Sequence, residues 1–382
     1  MTTATAKAPK SATVAVNPAT FSQLVDDIAA SCLERDEHAR GIVLAMLAKT
    51  NVFLLGVPGV GKSMVVEQTL RRITGSQGFD VLMTKFTTPD EVLGPINLQA
   101  FEQGRMERVM AGMLPDAHIG FLDEIFKANS AILNALLTIM NERRVSVGGK
   151  WTKVPTFCIV GASNELPQGE DLAALYDRFV IRFDVPALQA EANVRLLLGS
   201  SSTPPAPKVT LTVDEVMAAQ AEVAAVTLSS DAIDAALKIR LELLGQHGIR
   251  PSDRRWKQSM TVARAEAWLA GRAEVQREDL APLCHCLWNE KGERAKVRTV
   301  VYDQALPGLS KVMEFLDMAV EQQGIAASAR DKKARMEASM KLRELEEEAA
   351  KAVGPSSSSK VKDALAKITN IKNVVGKQVL GL

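Results

Sequence analysis

The stretch that decides the fold is residues 56–63, GVPGVGKS, which fits the pattern G-x-x-x-x-G-K-[ST] at every specified position. An apolar run typical of a strand precedes it at residues 51–55, and a helical pattern follows at residues 62–73. Glycines in such a loop let backbone N–H groups turn inward around phosphate oxygens, while Lys62 reaches the terminal phosphates and Ser63 offers a hydroxyl to Mg²⁺. We therefore predict a site for nucleotide phosphates. A glycine-rich turn without a ligand is the alternative, but it would not need the Lys62–Ser63 pair.

Short β-branched or aromatic runs alternate with helical periods around this loop. Strands that alternate with helices predict an α/β fold with a parallel sheet covered on both faces, and ligands gather at the carboxyl ends of such strands. A helix at residues 128–142 has Ile132, Leu136 and Met140 on one face. The predicted strands are residues 51–55, 81–86, 119–123, 157–162 and 179–184.

The sequence pattern changes after the last predicted strand. Residues 199–208, GSSSTPPAPK, form a Ser/Pro-rich stretch of the kind that joins domains. Beyond it, Thr212 and Glu215 have the spacing of a capping box, and the chain has helical patterns with no convincing strand. We therefore predict a disordered tail, an αβα nucleotide-binding core, a linker, an all-helical domain and a C-terminal helical extension, at residues 1–18, 19–198, 199–209, 210–305 and 306–382 respectively.

The composition disfavours several classes of protein. The 382 residues include 46 Lys plus Arg and 45 Asp plus Glu, and the formal net charge of +1 argues against a nucleic-acid groove as the main feature. The four cysteines lack the paired spacing of a disulfide framework or zinc site, which fits a reducing compartment. The apolar stretches are too short to span a bilayer, and the tail lacks the apolar core of a signal peptide. We expect a cytoplasmic protein without a membrane anchor.

An acidic pair completes the predicted site. Residues 119–124, IGFLDE, place Asp123 and Glu124 at the end of an apolar strand downstream of the glycine-rich loop. Asp123 would hold Mg²⁺, and Glu124 would polarise the attacking water. An Asp-Glu pair before a helix can also reflect a helix-start charge effect, but the upstream loop favours the catalytic interpretation.

Other polar residues follow strands or begin helices. Asn164 ends the next predicted strand at the same sheet edge and could orient the water, although an Asn cap or turn has the same pattern. Arg178 precedes the last strand, where an arginine can reach a neighbour's γ-phosphate or pair locally with Asp177. Arg254 and Arg255 begin a helix, where positive charge is disfavoured unless an anion is present.

Together these segments resemble the MoxR family of AAA+ ATPases, specifically the RavA type. The resemblance is carried, from about residue 20 to 305, by LGVPGVGKS, FTTPDEVLGPINLQA, MLPDAHIGFLDEIFKANSAILNALLTIMNER, ASNELP, LYDRF, PSDRRW and GRAEVQREDLAPLCHCLW. It implies an αβα ATPase core with a helical lid, ATP and Mg²⁺ as ligands, and a homo-hexamer. It also implies a remodelling or chaperone-like role with a von Willebrand factor A (vWA) domain protein. ATP ranks before GTP by this resemblance alone.

The resemblance implies roles for individual residues. It makes Glu124 part of Walker B, Asn164 sensor 1, Arg178 the arginine finger and Arg254 the sensor 2 residue, with Arg255 as the alternative. The residues expected to hold Mg²⁺ are Ser63 and Asp123. The residues expected to contact the nucleotide are Gly56, Pro58, Gly59, Val60, Gly61, Lys62, Ser63, Met64 and Asp123. After about residue 305 the chain departs from the RavA type, which has a longer region with a β-rich insertion.

Two hairpins are predicted within the core. Residues 96–100 and 106–110 flank one turn, and residues 145–147 and 151–154 flank Gly148-Gly149. In related AAA+ proteins such inserts face a central pore. The tip at residues 101–105 and Trp151 are therefore candidate substrate-gripping elements, with ordinary surface hairpins as the alternative.

Two further motifs are explained more simply by packing or by solvent exposure than by a functional site. Cys284-His285-Cys286 invites a metal site, but adjacent residues on a helix diverge by about 100° and no second ligand pair lies near in sequence, so packing is favoured. The charged run at residues 330–351 is typical of a solvated helix face, with partner docking as the alternative.

Two functions of different classes remain open at this point. The first is an enzyme, in which ATP hydrolysis in a head-to-tail ring drives conformational work on a protein partner. The second is a nucleotide-gated scaffold with slow turnover, which the presence of Glu124 disfavours. A nucleic-acid motor is disfavoured by the neutral charge balance.

Overall fold

The computed structural model describes residues 14–199, 205–328, 332–353 and 359–380. Most of the predicted N-terminal tail and part of the predicted linker lie outside these ranges. The chain forms two compact units. The first runs to Thr227 and includes Ser252–Glu274, and the second comprises Leu228–Pro251 and the chain from Val275 onward. Among the described residues, no helix is both long and apolar enough to cross a membrane.

Helices make up most of the chain, and side-chain caps begin several of them. Asn17, Asn129, Ser229 and Ser252 each accept a hydrogen bond from a backbone N–H in the first turn of the helix that follows. The α-helices are α1 (Pro18–Ala30), α2 (Asp36–Ala48), α3 (Lys62–Leu70), α4 (Pro89–Leu93), α5 (Leu98–Glu102), α6 (Ser130–Glu142), α7 (Glu170–Tyr176), α8 (Glu191–Gly199), α9 (Val213–Ala225), α10 (Ser230–His247), α11 (Asp253–Leu269), α12 (Arg294–Ala305), α13 (Leu309–Ser328), α14 (Lys332–Ala352) and α15 (Ser359–Leu380). The 3-10 helices are Leu114–Asp116, Ile125–Lys127, Arg277–His285 and Lys291–Glu293.

The strands are short. They are β1 (Val52–Leu55), β2 (Ile73–Thr74), β3 (Gly78–Leu82), β4 (Ile119–Asp123), β5 (Arg144–Val147), β6 (Lys150–Lys153), β7 (Cys158–Ser163), β8 (Ile181–Asp184), β9 (Leu211–Thr212), β10 (Thr227–Leu228) and β11 (Glu274–Val275). The longest of these, β7, is buried over its whole length.

A five-stranded sheet with the order β3-β4-β7-β1-β8 forms the centre of the first unit, and every neighbouring pair is parallel. Within it, Val52 of β1 lies opposite Val160 of β7 on one side and Ile181 of β8 on the other. All of β1 is buried, as expected of a strand covered on both faces. The predicted α/β fold with a parallel sheet followed by helices is confirmed.

One predicted strand is shifted along the chain. Residues 81–86 were expected to be extended, whereas β3 ends at Leu82, opposite Asp123 in β4. The strand stops because Thr84 and Thr87 form a tight turn, in which the Thr84 backbone N–H donates to Thr87 Oγ1 at 2.9 Å. The other predicted strands agree with the observed ones to within two residues.

The sheet is covered by helices on both faces. On one side, Ile132 and Leu136 of α6 belong to the same buried apolar cluster as Phe53 of β1. On the other side α2 contacts β1, β7 and β8. A Cβ atom at Gly41 of α2 would lie 2.3 Å from the ring of Phe183, so only glycine lets α2 approach β8 this closely. α1, α9 and α11 pack against α2.

The predicted hairpin across Gly148-Gly149 is present. β5 and β6 pair antiparallel, with Val147 opposite Lys150. Both glycines have positive φ, 56° and 76°, which a two-residue hairpin turn requires and which suits glycine.

The prediction of the other hairpin is wrong in its first arm. Residues 98–102 form α5, because the Asn97 side chain accepts the N–H of Ala100 and begins a helix. The pairing is reduced to a single antiparallel bridge between Ile96 and Arg108.

The second unit is built mainly from helices. α10, α12 and the 3-10 helix Arg277–His285 pack together around buried residues that include Ile239, Leu283 and Val301. α13, α14 and α15 each contact the other two.

Candidate active site

The glycine-rich loop joins β1 to α3 in a conformation that its glycines permit. Gly59 and Gly61 have φ of 81° and 80°, in the left-handed region that favours glycine. A Cβ atom at Gly59 would meet no atom within 4 Å, so backbone conformation rather than crowding requires glycine there. At Gly56 the reason is space, because a Cβ atom would lie 2.6 Å from the carbonyl oxygen of Val185.

The Lys62 side chain lies inside this loop. It is 7% exposed, and its Nζ donates to the carbonyl oxygen of Gly56 at 2.6 Å. Ser63 and Met64 follow on the first turn of α3 and are exposed. The loop therefore presents an ammonium and a hydroxyl beside an open, glycine-rich turn, which is a set of donors suited to phosphate oxygens.

Arg35, which the sequence analysis missed, contacts the glycine-rich loop on the side that faces the segment after β8. Its side chain is 2% exposed, and Nη2 donates to the carbonyl oxygens of Val60 at 3.0 Å and of Pro186 at 2.6 Å. Nη1 donates to the carbonyl oxygen of Glu34 at 2.8 Å. Burial lowers the pKa of Arg35, and the charge of Glu34 acts in the opposite direction. Arg35 thus ties the phosphate-binding loop to the segment after β8.

The neighbouring Glu34 anchors the same segment. Its carboxylate accepts the backbone N–H groups of Gln189 and Ala190, each at 2.8 Å, and the side-chain amide of Asn193 at 3.0 Å. These hydrogen bonds lower its pKa. No local pattern marks Glu34 or Arg35, because most of their partners lie far along the chain, at Val60 and at residues 186–193.

Hydrogen bonds align the carboxyl ends of the central strands. The N–H of Gly56 donates to the Ser163 carbonyl at 3.0 Å, and the N–H of Val185 donates to the Leu55 carbonyl at 2.7 Å. The ends of β1, β7 and β8 therefore lie at one edge of the sheet. Asp123 ends β4 at this edge.

Glu124 directly follows β4 in an unusual backbone conformation. It has φ 50° and ψ 42°, in the left-handed region, where a residue other than glycine costs about 1–3 kcal/mol. Its side chain is buried, and its Oε2 atom accepts no hydrogen bond, although Lys127 Nζ lies 3.3 Å away as an ion-pair partner. A strained, buried carboxylate with spare hydrogen-bonding capacity is typical of a catalytic position.

A second carboxylate lies near Asp123. Asp80 of β3 is two residues before the partner of Asp123 in the β3–β4 register, so both side chains lie on the same face of the sheet. Burial raises the pKa of Asp80, and the charge of Asp123 raises it further. The described residues contain no cluster of three or more His, Cys, Asp or Glu side chains that could hold a metal alone. A cation here would therefore draw other ligands from water or substrate.

Asn164 follows β7 and is exposed. In the β4–β7 register Leu122 pairs with Gly161, so Asp123 lies one residue and Asn164 three residues beyond that pair. The structure thus brings Asn164, Asp123 and the glycine-rich loop to the same edge of the sheet.

Arg178 and Arg254 lie near each other. Arg178 follows α7, and its Nη1 donates to the Ala174 carbonyl. Arg254 is exposed on the first turn of α11. Burial lowers the pKa of Arg178, and the positive charge of Arg254 lowers it further, whereas Asp177 raises it. Two guanidinium groups that repel each other are suited to share an anion.

Arg255 has a different environment from Arg254. It is 4% exposed, and its Nη2 lies 2.6 Å from Asp177 Oδ1. The Ser252 hydroxyl donates to both carboxylate oxygens of Asp177, at 2.9 and 2.8 Å. Asp177 therefore joins the end of α7 to the start of α11, an interaction that the sequence analysis did not predict.

The side chains predicted to grip a substrate are exposed. Trp151 is 53% exposed, and the Arg144 guanidinium lies over its ring at 4.1 Å from the centroid. Phe101 at the end of α5 is 60% exposed. The thiols of Cys284 and Cys286 are buried in the second unit, in line with packing as the favoured interpretation.

Two family models match the chain. A model of the MoxR domain in the MoxR–vWA–β-propeller ternary systems matches residues 19–221. A model of an AAA lid domain matches residues 231–301. The first match covers the whole predicted site except the arginines at residues 254 and 255.

Individual relatives extend the match. An uncharacterized protein of Methanocaldococcus jannaschii is 39% identical over 271 residues, which is 71% of this chain and 72% of that protein. The chaperone MoxR1 of Mycobacterium tuberculosis is 28% identical over 210 residues, 54% of each chain. The crystal structure of a candidate ATPase from Cytophaga hutchinsonii has a TM-score of 0.60 at 16% identity, covering 75% of this chain and 93% of that one, which is a likeness of fold.

Proposed function

The chain belongs to the MoxR family of AAA+ ATPases, and from that premise we propose that it hydrolyses Mg-ATP in a cytoplasmic homo-hexameric ring to remodel a protein partner. The observation that carries the proposal is the shared sheet edge. There the glycine-rich loop with Lys62, the Asp123–Glu124 pair and Asn164 follow three neighbouring strands of one parallel sheet. Such an edge is where ligands bind in open α/β sheets.

In this proposal the glycine-rich loop holds the phosphates. The loop N–H groups and Lys62 neutralise the β- and γ-phosphate charge, and the positive φ of Gly59 and Gly61 keeps the loop open toward them. Ser63 and Asp123 would hold Mg²⁺, which when bound would neutralise developing charge on the phosphate oxygens. The exposed Ser63 hydroxyl and the extra negative charge of Asp80 near Asp123 fit a cation.

Glu124 would take the proton of the attacking water. The spare Oε2 atom supports this role, since a general base must have a lone pair to offer. Lys127 Nζ, 3.3 Å from that oxygen, would hold the carboxylate in position as an ion-pair partner. Asn164 would orient the water through its side-chain amide.

Arg178 would act on the nucleotide of a neighbouring subunit. Its position beside Arg254 supports the proposal, because two adjacent cations favour a shared anion such as a γ-phosphate. An arginine used in trans requires a head-to-tail interface, and a closed head-to-tail interface generates a ring. The hexamer is the ring size implied by the family resemblance.

The partner is proposed to be a vWA domain protein. The support is the matched family description, which names MoxR–vWA–β-propeller systems, together with the name chaperone carried by MoxR1. Exposed Trp151 and Phe101 are the proposed contacts for the segment being remodelled. The finer RavA-type assignment stays a prediction.

The proposal is tested by steady-state phosphate release over a protein concentration series, with mass measured in parallel by light scattering, with and without ATP. We expect specific activity to rise as the ring assembles, and Glu124→Gln to assemble without activity. A monomer that binds ATP and releases no phosphate at any concentration, alone or with a vWA protein, would contradict the proposal and favour the nucleotide-gated scaffold.

A further inference from the structure

Asn51 binds the segment of the first unit that carries Arg178. It directly precedes β1 and is 2% exposed. Its backbone carbonyl accepts the N–H groups of Val180 at 3.1 Å and of Ile181 at 3.2 Å. Its side-chain Nδ2 donates to the Arg178 carbonyl at 3.2 Å. The backbone and the side chain of one residue therefore both hold the segment from which the Arg178 side chain projects.

The orientation of the Asn51 amide is set by a partner that can only donate. The backbone N–H of Ile159 in β7 donates to Asn51 Oδ1 at 3.1 Å. Because a backbone N–H cannot accept, the oxygen of the amide must face β7 and the NH₂ group must face the Arg178 carbonyl. The central sheet therefore fixes which end of the amide meets Arg178.

Arg143 holds the same oxygen from a second direction. Its Nη1 and Nη2 each donate to Asn51 Oδ1 at 3.2 Å. Nη2 also donates to the carbonyl oxygens of Lys49 at 2.9 Å and of Phe157 at 3.3 Å. Burial lowers the pKa of Arg143 to about 10, which leaves the guanidinium charged at neutral pH. Hydrogen bonds from a charged donor are stronger than neutral ones, so Arg143 stabilises the amide in this orientation.

The backbone of Arg143 is itself held on two sides. Its N–H donates to the Ile139 carbonyl of α6 at 3.1 Å, and its carbonyl accepts the N–H of Val154, directly after β6, at 2.9 Å. Arg143 thus lies where α6 ends and the β5–β6 hairpin begins. Its guanidinium reaches Asn51 from a fixed base.

The Arg178 side chain has few contacts of its own. Its Nη1 donates to the Ala174 carbonyl, and within the described part of the chain its Nε is buried without a hydrogen-bond partner. The point that the guanidinium reaches therefore depends on where the Arg178 backbone lies, which Asn51 sets. In a catalytic site, a displacement of about 1 Å can cost about a hundredfold in rate.

We propose that Asn51 is a positioning residue for Arg178, with its amide held in orientation by Arg143. The inference rests on the proposed function, in which Arg178 acts on the nucleotide of a neighbouring subunit. Asn51 touches no nucleotide in this scheme. It fixes the backbone of Arg178, so a defect at Asn51 appears in the active site that the neighbouring subunit completes with that arginine.

Asn51→Asp is a selective test, because it keeps an acceptor for Ile159 and Arg143 and replaces only the donor to the Arg178 carbonyl. The new carboxylate pairs with Arg143, whereas two oxygen atoms now face each other at Arg178. We expect kcat for ATP hydrolysis by the full chain to fall by about tenfold to a hundredfold, with KM for ATP changed by less than about twofold. Asn370→Asp, the same change at an exposed position of α15, should alter neither.

Mixed rings give a result that a loss of stability alone would not produce. Asn51→Asp mixed with Glu124→Gln should be more active than either component, because the Glu124→Gln subunits supply a well-placed Arg178. Asn51→Asp mixed with Arg178→Ala should stay as slow as its components, because every subunit then presents a defective arginine. The reverse pattern would place the defect in the nucleotide site of the Asn51→Asp subunit itself and overturn the proposal, as would a normal kcat.

A reference mixture of Arg178→Ala with Glu124→Gln separates this inference from the proposed function. If the reference stays inactive, the shared site fails, and a double variant decides the role of Asn51. Asn51→Asp combined with Arg178→Ala should then be no slower than Arg178→Ala alone, because Asn51 acts through Arg178, and a further loss would overturn the inference. Circular dichroism checks folding. Should Asn51→Asp not fold, Arg143→Lys, which keeps the charge but loses the two-atom contact, takes its place in the same mixtures with the same expected pattern.

Discussion

Arg255 Nη2 lies 2.6 Å from Asp177 Oδ1, and this pair of a buried arginine and a partly buried aspartate joins the helix that begins at Asp253 to the residue just before Arg178. The neighbouring Arg254 is exposed. Two adjacent arginines therefore have different environments: one holds structure and the other is free to meet a ligand. This difference separates their expected mutant phenotypes.

We predict that Arg255→Ala lowers the free energy of unfolding by about 1–3 kcal/mol, because it leaves the partly buried Asp177 carboxylate without its ion-pair partner. Arg254→Ala should change stability by less than about 0.5 kcal/mol and should reduce ATP turnover. Urea denaturation and phosphate release measure the two effects. Equal stability loss in both variants would refute the assignment.

The stability that the Asp177–Arg255 ion pair contributes should depend on pH. Burial alone would raise the pKa of Asp177, but the charge and hydrogen bond of Arg255, with Ser252, outweigh it and bring the pKa below the ordinary 3.8. A depressed folded-state pKa gives stability that is fully present above pH 3.8 and is lost as the pH falls through the folded value. The Tm difference between wild type and Asp177→Asn should therefore be largest near neutral pH and shrink below pH 3.8. A constant difference down to the acid limit would contradict the prediction.

Lys62→Ala and Glu124→Gln should separate binding from chemistry. Loss of the ammonium inside the loop should abolish nucleotide binding, because that ammonium is the proposed counter-charge of the terminal phosphates. Glu124→Gln keeps the size of the side chain and should retain binding while lowering turnover by about 10²–10⁴-fold. Fluorescent nucleotide titration and phosphate release are the measurements. Normal turnover by Glu124→Gln would remove Glu124 from the water-activating role.

Arg178→Ala should retain nucleotide binding and lose turnover by about 10³-fold or more. Because the arginine is proposed to act across an interface, mixing inactive Arg178→Ala with inactive Glu124→Gln should restore part of the activity. A mixture as inactive as its components would argue against a shared site.

Arg35→Gln should disturb the phosphate-binding loop, because it removes the hydrogen bonds that tie the loop to the segment after β8. It removes donors to the partly buried carbonyl oxygens of Val60 and Pro186, and the loss of such hydrogen bonds costs about 0.5–1.5 kcal/mol each. We expect lower Tm and about tenfold weaker nucleotide binding, whereas Arg71→Gln, an exposed change at the end of α3, should alter neither. Lower Tm with unchanged nucleotide affinity would show that Arg35 supports the fold but not nucleotide binding.

The buried thiols should be unreactive. Burial raises the pKa of Cys32 to about 11 and of Cys158 to about 12, with nearby arginines opposing the shift in each case. Both should therefore resist a thiol-specific disulfide reagent at mildly alkaline pH, because the thiolate is the reacting form. All four cysteines should react after denaturation in guanidinium chloride. Rapid labelling of Cys32 or Cys158 in the folded protein would contradict the prediction.

Much of the fold and of the candidate site could be predicted from residues that are contiguous in sequence. The loop at residues 56–63 and the Asp123–Glu124 pair are local patterns. In each, the residues expected to bind or react are neighbours in sequence, and the strand before them fixes where they lie on the sheet. The order of strands and helices likewise follows from alternating periodicity, which is why the α/β class was predictable. The error in the first hairpin arose because a single side-chain cap at Asn97 outweighed a pattern typical of a strand.

Tertiary structure alone decided which residues support the site. Arg35 contacts Pro186 and Arg255 contacts Asp177, pairs that lie far apart along the chain and that periodicity cannot relate. Arg254 and Arg255 differ in exposure because successive residues of a helix point about 100° apart, and Arg255 is the one that contacts Asp177. The sequence by itself determined the chemistry that the chain can offer, because short motifs encode donors and carboxylates locally. The fold decided which charges face solvent, because burial depends on contacts between distant segments.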